Sequence, residues 1–222
     1  TSDQYAAEIK SILALFQTDL KEIDDSIISS VVPPVFNSVR TGIIKLTHKE
    51  PIVVGPGIKT GLNIQMDDPA SVGSDLIVAA VAAVQDYQPP LIIIDMGTAT
   101  TVCAIGRGNT YLGGVVIPGI RVSADSLTHS TALLPGIQLD RPKRAICKNT
   151  VDAIRAGVMF SAADTLDGMI RRFEAELGEP ATVIATGGIA QFVVPLCQRT
   201  MILEKDLLLK GMNYLYHKNK KH

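Results

Sequence analysis

The sequence predicts an α/β fold in which helices cover a sheet, and three observations predict it. Short β-branched runs alternate with longer helical patterns through the first 88 residues, the signature of a layered α/β architecture. Residues 91–95 (LIIID) are apolar up to a closing carboxylate, as in a strand covered on both faces. Residues 149–177 carry one long helical pattern opened by Asn149-Thr150, a pair suited to capping.

The elements follow in order. Thr1-Ser2-Asp3-Gln4 sets a hydroxyl three residues before a Gln, a capping box that starts a helix. Ile9, Ile12, Leu13, Phe16 and Leu20 then recur at helical spacing. Residues 26–32 (SIISSVV) read as a short buried strand stopped by Pro33-Pro34, with a helix to about Leu46. Ile52-Val53-Val54 is a second strand entering the turn-rich GPGIKTG at 55–61. An Ala/Val-rich helix is expected over 71–85. Gln88-Pro89-Pro90 then breaks the chain, dividing it into domains at 1–88 and 89–222. In the second domain, strands are expected at 91–95, 98–105 and 110–117, the last two joined as a hairpin by GRGN. A helix runs from Pro118-Gly119 to about Ser130, and the long helix follows at 149–177. A strand at 182–185 ends in TGG (186–188), and residues 206–216 close the chain as a helix.

Composition narrows the function. With 46% hydrophobic and 19% charged residues the chain is not intrinsically disordered. Lys and Arg (21) nearly balance Asp and Glu (22). No basic excess is available for a phosphate backbone, so nucleic acid is not an expected partner. The longest apolar run, 76–84, covers nine residues, about half of the ~20 that span a bilayer, so no membrane partner is expected either. Three cysteines without a CxxC pair suit a reducing cytoplasm rather than a disulfide framework or zinc ribbon. The basic tail HKNKKH (217–222) reads as a solvated end.

Familiar phosphate motifs fail. GPGIKTG (55–61) has Ile58 where a Walker A loop needs Gly before Lys59, and neither HExxH nor GxSxG occurs. The strongest signal is LIIIDMGTATT (91–101), in which a strand ends at Asp95, Gly97 permits a tight turn, and Thr98, Thr100 and Thr101 supply hydroxyls. Such a carboxylate can hold a cation while turn amides and hydroxyls meet phosphate oxygens. A plain hairpin whose turn amides satisfy Asp95 is the structural alternative. The second signal is DDPASVGSDL (67–76), which sets Asp75 at the start of an apolar helix. There a carboxylate can act as a general base or simply stabilise a helix N-terminus. Gly187-Gly188 can admit a flat ligand or make a turn.

Together these segments resemble type III pantothenate kinases, the family also called Bvg accessory factor. The matching blocks are SSVVPP (29–34), VVGPGIKTGLNI (53–64), DPASVGSD (68–75), IIIDMGTATT (92–101), YLGGVVIPGI (111–120), KNTVDAI (148–154), IATGG (184–188) and LLLKGMNYLY (207–216), all in the family's order. The resemblance implies an actin-like fold (the acetate and sugar kinase, Hsc70 and actin group) of two ribonuclease-H-like domains with ATP in the cleft. The activity it implies is phosphorylation of pantothenate, the first step of coenzyme A synthesis, in a cytoplasmic homodimer. It makes Asp75 the proton acceptor, Gly73, Ser74, Asp75 and Leu76 the lining of the pantothenate site, and Thr150 a further substrate contact. Asp95 would bind a monovalent cation such as K⁺ or NH4⁺, and Thr98 would contact ATP, which carries Mg²⁺. Leu76 stands where the family usually has Arg, and Ala79 where it usually has Asn. Those departures keep two alternatives in view: an actin-like phosphotransferase for another small alcohol, or a non-catalytic regulatory member. The family also opens with a strand and a DxGNT phosphate loop, so the first domain is expected to be truncated ahead of Thr1.

Overall fold

The computed structural model describes residues 1–130 and 138–220. In chain order the elements are α1 (Ser2–Leu15), β1 (Ile27–Ile28), α2 (Pro33–Thr47), β2 (Ile52–Val53), β3 (Asn63–Ile64), α3 (Ser74–Asp86) and β4 (Leu91–Met96). After them come β5 (Ala99–Gly106), β6 (Thr110–Pro118), α4 (Ile120–Ser130), α5 (Thr150–Leu177), β7 (Thr182–Thr186), α6 (Ala190–Val193), β8 (Ile202–Leu203) and α7 (Leu207–Asn219). Two compact bodies result. One comprises Thr1–Gly61, Asp68–Ala82 and Leu208–His222, the other Leu62–Asp67 and Ala83–Leu207.

In the first body the expected capping box is present. Thr1 Oγ1 accepts from Gln4 N at 3.3 Å, and the N-terminal ammonium donates to Gln4 Oε1 at 2.7 Å. The helix is shorter than the apolar spacing suggested: Phe16 closes it and Gln17 turns left-handed at φ 55°. Leu20 therefore falls in a separate single turn, Leu20–Glu22. The prolines at 33 and 34 start α2, where their fixed φ and missing N–H cost nothing. β1 and β2 pair in parallel, Ile27 with Ile52 and Ile28 with Val53. The strand expected over 26–32 is confined to two residues because serine hydroxyls take over the next groups. Ser30 Oγ accepts from Val32 N at 3.2 Å, and Ser29 Oγ donates to Ser74 Oγ at 3.0 Å, side-chain bonds that compete with a ladder. The basic tail is more than a solvated end. Asn219 accepts from Lys59 N at 2.9 Å and donates to Lys59 O at 3.0 Å, a backbone-like pair. Lys221 and His222 lie outside the described residues.

The second body is built on a six-stranded sheet in the order β3-β6-β5-β4-β7-β8. β4 pairs with β5 and β5 with β6 in antiparallel fashion, while β3 joins β6, β7 joins β4 and β8 joins β7 in parallel. The GRGN hairpin is as expected, with Gly108 (φ 68°) and Asn109 (φ 56°) both left-handed at its tip. Strand β4 is central, so Leu91, Ile92, Ile93 and Ile94 are all buried, and each such side chain contributes about 1.5–3 kcal/mol. One face of the sheet packs on α5 through Met159, Leu166 and Ile170. Asn149 caps α5 by accepting from Asp152 N at 2.9 Å, and Gly178 (φ 75°) ends the helix. Asp167, 4% exposed, accepts from Gln198 N at 2.8 Å and Arg199 N at 3.0 Å, tying the stretch ahead of β8 to α5. Among the described residues no helix is long and apolar enough to cross a membrane.

Candidate active site

Asp75 stands in the first turn of α3, within the first body. Its Oδ1 accepts from Leu76 N at 2.9 Å. Gly73 makes room for that carboxylate, since a β-carbon at 73 would lie 2.5 Å from Asp75 Oδ1. Ser74 is held from 45 residues away by the Ser29 hydroxyl. Gly73, Ser74, Asp75 and Leu76 are all half-buried, so the carboxylate is reachable while its backbone is braced. Ala79, by contrast, is 1% exposed and acts in packing.

In the second body the sheet brings three segments to the end of β4. Asp95 pairs in register with Thr101 on β5 and with Thr186 on β7. Met96 is followed by a tight turn in which Gly97 N donates to Ala99 O at 3.1 Å, leaving Gly97 and Thr98 exposed. Two glycines press on this turn. A β-carbon at Gly119 would overlap the Thr98 carbonyl oxygen, and one at Gly187 (φ 97°) would lie 2.6 Å from Met96 O. The backbone of 96–98 is thus clamped, which keeps its N–H donors at fixed positions. Thr186 Oγ1 is buried without a hydrogen-bond partner, and a buried polar atom left alone costs about 1–3 kcal/mol. Beside Asp95 in the register, that orphaned oxygen and the carboxylate form a donor set that fits a cation preferring oxygen ligands.

Thr150 is the exposed first residue of α5, and Asn149 takes the capping role. The structure thus groups Gly73–Leu76 on one body, and Asp95 with Thr98 on the other. The same second body carries Thr150 at a helix start. A recess of about 610 Å³ opens beside Met96 and Thr100 toward Ile117, Ser123, Leu127 and Ser161. Its walls are mostly apolar, so it suits hydrocarbon rather than a triphosphate. Among the described residues no group of three His, Cys, Asp or Glu side chains could hold a metal ion. A divalent ion here would be held mainly by phosphate oxygens. Sequence reasoning missed Thr186, Gly119 and Ser29 as individual residues. TGG after a strand and PG after a hairpin were the available signals, but Thr186 gains meaning only from its register with Asp95.

Comparison with known proteins points one way. The family model described as type III pantothenate kinase matches residues 1–172. A protein named type III pantothenate kinase from Geobacillus sp. (strain WCH70) is 44% identical over 219 residues, covering 99% of this chain and 85% of that one. Another of that name from Halalkalibacterium halodurans is 40% identical over 219 residues, covering 99% and 86%. A crystal structure of a Baf family protein from Campylobacter jejuni matches with a TM-score of 0.61 at 22% identity. The match covers 90% of this chain and 86% of that one, a likeness of fold alone.

Proposed function

This chain belongs to the type III pantothenate kinase family, and on that premise we propose how its residues divide the reaction. The protein is a kinase of actin-like fold that phosphorylates pantothenate with ATP, giving 4′-phosphopantothenate and ADP, in coenzyme A biosynthesis. The observation that carries this is identity of 44% and 40% to proteins of that name over 99% of the chain.

In the reading we favour, Gly73–Leu76 bind pantothenate, and Thr150 is a further substrate-binding residue. Asp75 accepts the proton of the primary hydroxyl as that oxygen bonds to the γ-phosphorus. The bond from phosphorus to the bridging oxygen breaks, and ADP leaves with its electron pair. Phosphoryl transfer asks the protein mostly for positioning and charge stabilisation. The braced first turn of α3 and the clamped turn at 96–98 suit those two tasks. Thr98 donates to ATP, and Mg²⁺ arrives with the nucleotide. Asp95 and the orphaned Thr186 hydroxyl would hold a monovalent cation, K⁺ or NH4⁺, whose charge offsets that of nearby phosphate oxygens when it is bound. The same reading takes the protein as a homodimer, which sedimentation would check. It works in the cytoplasm, where its three cysteines, none of them in a disulfide, stay reduced.

Asp75→Asn tests the assignment of the base. In a coupled ADP-release assay with pantothenate, kcat is expected to fall roughly 10²–10⁴-fold with little change in KM for ATP. Unchanged turnover would show that Asp75 is not the base.

A further inference from the structure

We propose that a cavity formed by the loop at 140–147 and the first turns of α5 binds a phosphate dianion, either inorganic phosphate or the head of a small phosphate monoester. It shares no residue with the groups assigned above, and the proposal does not rest on the kinase reading. The cavity holds about 330 Å³ and is lined by Arg141, Lys143 and Arg144 from the loop and by Arg155 from α5. The acids lining it are Asp140 and Asp152. Arg155 and Asp152 already satisfy each other at 3.1 Å. That leaves three loop cations facing one carboxylate, a local excess of two positive charges in a chain whose net charge is −1. Among the described residues neither Arg141, Lys143 nor Arg144 has an ion-pair partner.

The walls are braced before any ligand arrives. Arg155 Nε donates to Gln138 O at 3.1 Å, fixing the loop's entry to α5. The Cys147 thiol donates to Arg144 O at 3.3 Å, closing the turn that carries the cations. Asn149 Nδ2 donates to Asp152 Oδ2 at 2.7 Å, which keeps that carboxylate on the helix. The first turns of the 28-residue α5 line the cavity through Asp152 and Arg155, and a helix N-terminus adds a partial positive charge.

Charge selects the ligand. A phosphate monoester carries about −1.5 to −2 near neutral pH and so cancels the excess, whereas a carboxylate leaves one cation unbalanced. Guanidinium forks also match the spacing of phosphate oxygens in a way a point charge does not. A polymeric nucleic acid would need basic charge spread over a longer track.

The test is a titration of the whole protein with inorganic phosphate at low ionic strength. It is followed by calorimetry in the presence of saturating non-hydrolysable ATP analogue, so that nucleotide-site binding is excluded. One saturable site is expected, weakened at least tenfold in Arg141→Ala/Arg144→Ala and recovered in part by Arg141→Lys/Arg144→Lys, with melting temperature unchanged. Lys143→Gln, which leaves both arginines in place, is expected to weaken binding by a smaller factor. Acetate at equal ionic strength is expected to bind at least tenfold more weakly than phosphate. No saturable phosphate binding, equal affinity in the double alanine variant, or acetate binding as tightly as phosphate would each overturn the proposal.

Discussion

Gly73→Ala isolates the placement of the proposed base from its chemistry. The new β-carbon would lie 2.5 Å from Asp75 Oδ1, while ordinary contact begins near 3.4 Å. The carboxylate oxygen must therefore retreat by roughly 1 Å, and a misplacement of that size costs on the order of 100-fold in rate. It also gives up the 2.9 Å bond from Leu76 N, worth about 1.5–3 kcal/mol as a bond to a charged acceptor. The nearest other side chain, Val31 Cγ1, is 3.8 Å away, so the fold has no reason to fail. Steady-state ADP release with varied pantothenate should show kcat reduced about 100-fold, KM for ATP nearly constant, and, from the lost bond, a melting temperature lower by roughly 3–12 °C. A variant that retained kcat within twofold while folding normally would refute the idea that Asp75 must sit where this turn puts it.

Two further outcomes concern stability. Asp167→Ala orphans the amides of Gln198 and Arg199; at about 1–3 kcal/mol for each stranded donor, urea unfolding should show a loss of about 2–6 kcal/mol. A loss below about 1 kcal/mol would mean that water replaces the carboxylate. The hydrogen bond from Arg107 holds the Glu179 carboxyl below its ordinary 4.5. A depressed folded value adds stability above pH 4.5 that is lost as pH falls through it. Arg107→Ala should therefore melt lower than the parent at pH 7 and converge with it in acid, the gap shrinking in high salt; a gap independent of pH would refute the pairing.

Much of this protein can be read from local pattern. The apolar stretch of β4, the GRGN hairpin, the prolines opening α2 and the Asn149 cap are all carried by neighbouring residues, and each element formed where those residues lie. The strands β3 and β8 could not be read, being two residues each and ordered by a partner strand rather than by propensity. Helix α1 ended earlier than its apolar spacing suggested, leaving Phe16 77% exposed, because periodicity says which residues can share a face and not whether a neighbour covers it. For the candidate site, the chain supplied Asp75, Asp95, Thr98 and Thr150 as residue types in a recognisable order. It did not show that Ser29 reaches Ser74, that Gly119 and Gly187 clamp the turn after β4, or that Thr186 stands unpartnered beside Asp95.

By itself, then, the sequence determined the α/β class, the ordered motifs and the family they belong to, since periodicity, capping and turn chemistry act over a few residues. Only the tertiary structure decided which residues stand in register with Asp95, how closely glycine backbones approach the turn at 96–98, and what braces Asp75. Those depend on strand register and on packing between segments tens of residues apart, where a shift of one residue or one methyl group changes which atoms meet.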